Sequence, residues 1–148
     1  MTYPLAFSTW GNEEVEAIKH VIDTDMYTMG KHVKQFEKEF AETFGSPHAV
    51  MVNSGSSANL LMLSLLKWKY KLSGDIIVPV VGWATTYFPI SQNGFRLNFV
   101  DVDPNTWNID VSKIEAAITP ETCAIMPVNL LGNSCDYKRI IELCEEHK

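Results

Sequence analysis

The feature of the sequence that most limits the possible folds is the alternation of strand-like and helix-like segments after residue 45. Short apolar runs rich in β-branched residues are each followed by a longer stretch with helical apolar spacing. This alternation predicts an α/β fold in three layers, with helices on both faces of a parallel or mostly parallel sheet. The predicted strands are 48–53, 75–80, 96–102 and 123–131, and the predicted helices are 57–72, 84–94, 111–118 and 136–148.

The first 45 residues show no such alternation and are predicted to be helical. Apolar side chains recur at helical spacing over residues 15–22 and again over residues 33–44, and Gly45 is placed to end the second helix. The sequence therefore predicts an N-terminal helical segment over residues 1–45 and an α/β part over residues 46–148.

Composition and charge argue against several classes of partner. The net charge is −6, which disfavours nucleic acid or an acidic membrane surface as the main partner. The apolar runs are short and the first residues lack a basic, apolar leader, so we expect neither a membrane span nor a signal peptide. Three cysteines without C-x-x-C spacing favour reduced thiols and a cytoplasmic protein. Four scattered histidines predict no metal site.

The stretch NSGSSAN, residues 53–59, joins the first predicted strand to the first predicted helix of the alternating part. Ligands of open parallel sheets bind beyond the carboxyl ends of the strands. Gly55 allows a sharp turn or a close approach to a ligand, and the amides of Ser56 and Ser57 are expected to open the helix and attract an anion. The stretch has neither a Walker-loop lysine nor a dinucleotide glycine fingerprint. It predicts a site for a small phosphate monoester, or simply a serine-rich helix cap.

Two other strand ends carry candidate binding residues. Trp83 follows strand 75–80, where an aromatic ring either forms the wall of a pocket for a flat ligand or packs in the core or at an interface. Asn129 and Asn133 lie at the end of strand 123–131, where they either bind a ligand or form the loop around Gly132.

Together these segments resemble the DegT/StrS family of pyridoxal phosphate (PLP) enzymes, which act on nucleotide-linked keto-sugars. The resemblance implies the aspartate-aminotransferase-like architecture, fold type I, of which this sequence matches the N-terminal part of the large domain. Within the family the sequence is most similar to the sugar 3-dehydratases, with the sugar aminotransferases as the alternative. The matching stretches are TMGKHVKQFEKEFAETFGS, AVMVNSGSSANLLML, GDIIVPVVGWATTYFPI, FVDVDPNTWNID and IEAAITPETCAIMPVNLLGN, which cover essentially the whole chain.

The resemblance also implies roles for individual residues. Gly55, Ser56 and Ser57 match the residues that hold the 5′-phosphate of PLP, and Trp83 matches the aromatic residue that stacks on its pyridine ring. In the stretch YTMG, Tyr27 and Gly30 are further candidates for contact with the sugar nucleotide. In this family the carboxylate that binds the pyridine nitrogen and the lysine or histidine base lie on later strands. We therefore expect no catalytic residue in this chain.

Partners and biological role follow from the same resemblance. It implies glutamate and a nucleotide-linked 4-keto-6-deoxy sugar as substrates, in polysaccharide or lipopolysaccharide sugar biosynthesis. It also implies a homodimer, for which apolar side chains on the N-terminal helices and around Trp68 and Tyr70 offer a surface. The chain is then the N-terminal part of a longer enzyme and inactive alone. A different class stays open, namely a stand-alone domain that binds a phosphorylated ligand or acts as a scaffold.

Overall fold

The computed structural model describes residue 4 and residues 6–147. The chain divides into two compact units, Met1–Met51 and Val52–Lys148. Within the described residues, the first unit holds two α-helices, and the second holds a three-stranded sheet, four α-helices and a short 3-10 helix, Leu130–Gly132. The helices are α1 Asn12–Asp23, α2 Lys31–Thr43, α3 Gly55–Trp68, α4 Ala84–Gln92, α5 Val111–Ala117 and α6 Tyr137–Glu146, and the strands are β1 Asp75–Pro79, β2 Arg96–Val100 and β3 Thr122–Ile125.

The sheet of the second unit is parallel, as the alternation predicted. β1 lies in the middle and pairs in parallel with β2 on one side and with β3 on the other. Successive residues of a strand point to opposite faces. Ile77 therefore packs in a cluster that α5 and α6 complete with Ile114 and Leu143. Its neighbour Ile76 packs in a second cluster with Leu63 of α3. These two cores confirm the three layers.

The first unit is built around α1 and α2. α2 ends at Thr43 with Phe44 as its C-cap residue, and Gly45 follows with φ +64°, the left-handed conformation that commonly terminates a helix. Phe36, Phe40 and Phe44 lie along one face of α2, with successive ring centroids 5.6 and 4.4 Å apart, and all three are exposed. Throughout the described ranges, the helices are too short or too polar to cross a lipid bilayer.

One predicted strand is wrong. Residues 48–53 form neither helix nor strand, and the backbone N–H of Met51 donates to the Glu37 carboxylate at 2.9 Å. A strand requires a paired neighbour, and the described part of the chain supplies none for this segment. The predicted strand 123–131 is too long, because β3 ends at Ile125 and Pro127, which has no N–H to donate, follows two residues later.

Candidate functional site

The serine-rich stretch opens helix α3, with Ser54 as its N-cap residue. The Ser54 side chain accepts a hydrogen bond from the N–H of Ser57 at 3.2 Å. The amides of Gly55 and Ser56 find no acceptor among the described residues. This corrects one expectation, since the helix begins at Gly55 and the amide of Ser57 is used by the cap. Two free amides remain at the helix N-terminus.

Hydroxyl groups add donors at the same helix end. The Ser57 hydroxyl donates to Asn53 Oδ1 at 2.6 Å and accepts from the Ser54 hydroxyl at 3.2 Å. Ser57 is half-buried, whereas Ser56 is exposed. The Ser57 hydroxyl therefore lies in the first turn of α3, at the same helix end as the two free amides.

Gly55 leaves room at the helix N-terminus. Its φ lies outside the left-handed region, and a Cβ added there would meet no atom within 4 Å. Side chains of a helix lean toward its N-terminus, so the missing side chain leaves open space at this helix end. The structure therefore does not require Gly55 for a sharp turn, and close approach of a ligand stays a prediction.

Helix α4 brings a second N-terminus beside that of α3. The Asn59 side-chain amide donates to the Thr85 carbonyl at 3.3 Å near the start of both helices. The Ser64 hydroxyl donates to Asn93 Oδ1 at 2.9 Å near the end of α4. The two helices therefore run side by side in the same direction, and both begin where β1 leads into α4, at the carboxyl edge of the sheet. The positive ends of both helix dipoles favour an anion at this edge.

A cavity of about 260 Å³ lies between α3 and α4 and extends along α4 from its first turn to its last residue. Its walls carry hydroxyl, amide and apolar groups, and none of the lining side chains ionises near neutral pH. Such a cavity suits a ligand that brings its own negative charge and needs neutral donors around it. The lining residues are Ser56, Ser57, Leu60, Thr85, Phe88, Pro89 and Gln92.

Trp83 immediately precedes α4 as its N-cap residue, two positions before the cavity-lining Thr85. Its side chain is 75% exposed, which rules out packing in the core of this unit. An exposed indole at the edge that carries the free amides offers a flat face for an aromatic ligand. The structure thus brings Gly55, Ser56, Ser57 and Trp83 to the starts of two adjacent helices.

The two residues considered for sugar-nucleotide contact lie in the first unit. Gly30 is the N-cap residue of α2. Tyr27 is exposed, and its hydroxyl donates to the Ile22 carbonyl at 3.3 Å. None of these contacts bears on a ligand, so the role of both residues stays a prediction.

The asparagines after β3 hold a loop together. Asn129 Oδ1 accepts from the Cys135 N–H at 2.9 Å and from the Tyr137 hydroxyl at 3.1 Å. The Asn133 side-chain amide donates to the Thr106 carbonyl at 3.2 Å. Of the two roles that the sequence left open for Asn129 and Asn133, these bonds favour the structural one.

Sequence reasoning missed several residues of this edge. Ser54 could have been found, because a serine N-cap bonds the N–H three residues further along the helix. Thr85 and Gln92 gave no signal, because only the packing of α4 against α3 turns them toward the cavity.

Comparison with known proteins gives consistent matches over nearly the whole chain. The model of the DegT/DnrJ/EryC1/StrS aminotransferase family matches residues 8–148. GDP-4-keto-6-deoxy-D-mannose 3-dehydratase of Yersinia pseudotuberculosis is 52% identical, over 98% of this chain and 38% of its own length. The solved structure of the E. coli enzyme with bound hydrated PLP is 50% identical, with a TM-score of 0.90 over 97% of this chain and 38% of that one.

A second solved structure has a comparable likeness. GDP-4-keto-6-deoxymannose 3-dehydratase with a trapped PLP–glutamate geminal diamine is 51% identical, with a TM-score of 0.89 over 96% of this chain and 38% of that one. The present chain thus spans about 38% of the length of the relatives that it matches.

Proposed function

The chain belongs to the DegT/DnrJ/EryC1/StrS aminotransferase family and has the α/β fold of fold type I PLP enzymes, and on this premise we propose that it is the N-terminal part of a PLP-dependent sugar 3-dehydratase. The observation that carries the proposal is the edge where two helix N-termini, an uncharged donor-lined cavity and an exposed tryptophan meet. A flat ring that bears a single phosphate matches these features. The 52% identity to a 3-dehydratase supports the choice of reaction.

We assign the cofactor phosphate to the amides of Gly55 and Ser56 and the hydroxyls of Ser56 and Ser57, and the cofactor ring to the face of Trp83. When bound, PLP supplies an electron sink for bonds next to a carbon that carries an amino group. The contribution of this chain is to bind the phosphate with uncharged donors and to orient the ring. The cavity walls offer no side chain suited to hold or move a proton at neutral pH.

The proposed substrates are a nucleotide-linked 4-keto-6-deoxy sugar and glutamate, in polysaccharide or lipopolysaccharide sugar biosynthesis. The names of the matching 3-dehydratases support the sugar, and the trapped PLP–glutamate species in one solved structure supports glutamate. Tyr27 and Gly30 are candidate contacts for the sugar nucleotide. We place the enzyme in the cytoplasm, which the free thiols of Cys123, Cys135 and Cys144 support.

A sugar aminotransferase is the second candidate, and the name of the matching family favours it. The two reactions leave different products. A 3-dehydratase gives a sugar without its 3-hydroxyl group and releases ammonia, whereas an aminotransferase gives a sugar with a new amino group.

Replacing Ser57 with alanine is expected to weaken PLP binding by about 1.5–3 kcal/mol, because it removes one hydrogen bond to a charged phosphate. The measurement is a titration of the complete protein with PLP, followed by absorbance. Ser91→Ala, an exposed serine on α4 outside the cavity lining, is the matched control and should bind PLP normally. Unchanged affinity in Ser57→Ala would contradict the phosphate assignment.

The variant Gly55→Ala separates a ligand-binding role from a structural one in the same experiment. In the protein without ligand, the new methyl group would have no neighbouring atom within 4 Å. The thermal midpoint of unfolding without PLP should therefore not fall. The methyl group would occupy open space at the helix N-terminus, where we assign the phosphate, so PLP affinity should fall. A variant that keeps full PLP affinity would place the phosphate elsewhere.

We also propose that the complete protein is a homodimer. Apolar side chains that this chain leaves exposed support the proposal, among them Phe36, Phe40, Phe44 and Trp68, which is 72% exposed. Sedimentation velocity of the complete protein at assay concentration should show a dimer. A monomer under those conditions would refute it.

A further inference from the structure

The loop between β1 and α4, residues 80–83, carries the exposed ring of Trp83 at its end. An exposed indole can serve as one wall of a binding site only if the backbone that bears it is fixed, since a mobile ring loses orientational freedom each time a ligand binds. Two backbone bonds hold the loop at its ends. Val80 N–H donates to the Val100 carbonyl at 2.8 Å, and Thr86 N–H donates to the Trp83 carbonyl at 2.9 Å.

Tyr87, from the first turn of α4, also holds the loop in place. The Tyr87 hydroxyl donates to the Pro79 carbonyl at 2.8 Å, and Pro79 is the fully buried last residue of β1. The Tyr87 ring packs edge-on against Phe99 of β2, with ring centroids 5.4 Å apart. Burial raises the pKa of the Tyr87 phenol, so the group remains a hydrogen-bond donor at neutral pH. Tyr87 therefore ties α4 to the end of the central strand across the base of the loop.

Gly82, the residue before Trp83, lies close to the same hydroxyl group. A Cβ at Gly82 would overlap Tyr87 Oη, while the φ of Gly82 lies outside the left-handed region. Gly82 is thus required for space and not for an unusual backbone dihedral. The backbone of Gly82, the residue before Trp83, therefore lies next to the Tyr87 hydroxyl.

We propose that Tyr87 is a positioning residue that sets the orientation of Trp83 for stacking on a flat phosphorylated ligand. The inference rests on the proposed PLP site and adds to it a residue that holds the ring-binding wall without touching the ligand. It divides recognition into two independent parts. The start of α3 binds the phosphate, and Trp83, which Tyr87 holds in place, binds the ring.

The test uses the complete protein with Tyr87→Phe and two ligands, PLP and glycerol 3-phosphate, which has a phosphate but no ring. Loss of the hydroxyl bond should weaken PLP by about three- to tenfold, and glycerol 3-phosphate should bind as before. Trp83→Ala should show the same selectivity. The double variant should bind PLP no more weakly than Trp83→Ala alone, because Tyr87 acts through Trp83.

Tyr137→Phe is the matched control. It also removes one tyrosine hydroxyl bond in the same unit, to Asn129 at 3.1 Å, and should leave the affinity for both ligands unchanged whatever it does to the thermal midpoint. Gly82→Ala, which pushes the Tyr87 hydroxyl aside, should reproduce the selective loss of PLP. Equal weakening of both ligands by Tyr87→Phe, or additive losses in the double variant, would overturn the proposal.

A measurement without ligand separates this inference from the proposed function. The complete protein is labelled with fluorotryptophan, and the fluorine NMR signal of Trp83, one of four tryptophans in this chain, is identified by its loss in Trp83→Phe. Tyr87→Phe should shift or broaden this signal, and Tyr137→Phe should not. An unaltered signal in Tyr87→Phe refutes the positioning role even if PLP binds. Failure of the unaltered protein to bind PLP refutes the proposed function alone.

Discussion

The 148-residue chain is expected to turn over no nucleotide-linked keto-sugar, whereas the complete protein should process one in the presence of PLP and glutamate. None of the seven side chains that line the cavity between α3 and α4 is a lysine, a histidine or a carboxylic acid. General acid–base catalysis by a placed side chain contributes about 10²–10⁴-fold to a rate, and this cavity offers no such group. Loss of this contribution alone should make the short chain slower than the complete protein by about 10²–10⁴-fold, which would leave no measurable turnover.

The measurement compares equal concentrations of the two polypeptides, with product detected by NMR and ammonia by a coupled assay. Loss of the 3-hydroxyl group together with ammonia would support the dehydratase, and a new amino group would support the aminotransferase. A PLP titration of the short chain serves as the control for folding of the phosphate site. Turnover by the short chain would show that a catalytic base lies among its own residues.

Replacing Gly74 with alanine is expected to destabilise the second unit by about 3 kcal/mol or more, the largest stability effect that we predict. Gly74 has φ +118°, and a Cβ there would overlap the carbonyl oxygen of Glu121. That oxygen accepts the Asp75 N–H at 2.8 Å, while the Gly74 carbonyl accepts the Arg96 N–H at 2.9 Å. The glycine therefore lies where β1 begins to pair with both of its neighbours, and displacing it disturbs both ladders.

Gly94→Ala provides the matched control for this prediction. Gly94 also has a positive φ, +74°, but a Cβ there meets nothing within 4 Å. Its cost should be limited to the backbone conformation, about 1–2 kcal/mol. Urea unfolding of both variants measures the loss of stability as a lower midpoint urea concentration, while the dependence of the unfolding free energy on urea stays constant. Equal losses in the two variants would mean that the contact with Glu121 is unimportant.

The sequence predicted the layers well because apolar spacing is a local property. The alternation of Ile76 and Ile77 between two faces of β1, and the helices on either side, follow from residues close together in the chain. The segment 48–53 has equally strand-like residues, yet Met51 bonds to Glu37 instead of to a strand. Spacing predicts which segments suit a strand, and only tertiary structure supplies the neighbour.

Only some residues of the candidate site could be proposed from the sequence. The serines around Gly55 were evident from their type and from their place between a strand and a helix. The role of Tyr87 was not, because its partner Pro79 lies eight residues away across a loop. The need for glycine at position 82 is equally hidden, because it depends on where the Tyr87 hydroxyl lies after folding.

The lack of ionisable groups in the cavity walls determines how binding should respond to pH and salt. Backbone amides, hydroxyls and helix dipoles do not titrate between about pH 5 and 9. At this cavity we therefore expect the second ionisation of a bound phosphate monoester, with a pKa near 6, to control the pH dependence of binding. Affinity for such a ligand should rise as pH passes through this value and then level off.

The net charge of −6 repels the same dianion at long range. Salt that screens this repulsion should therefore speed association with this chain, the opposite of its effect on a lysine-lined phosphate site.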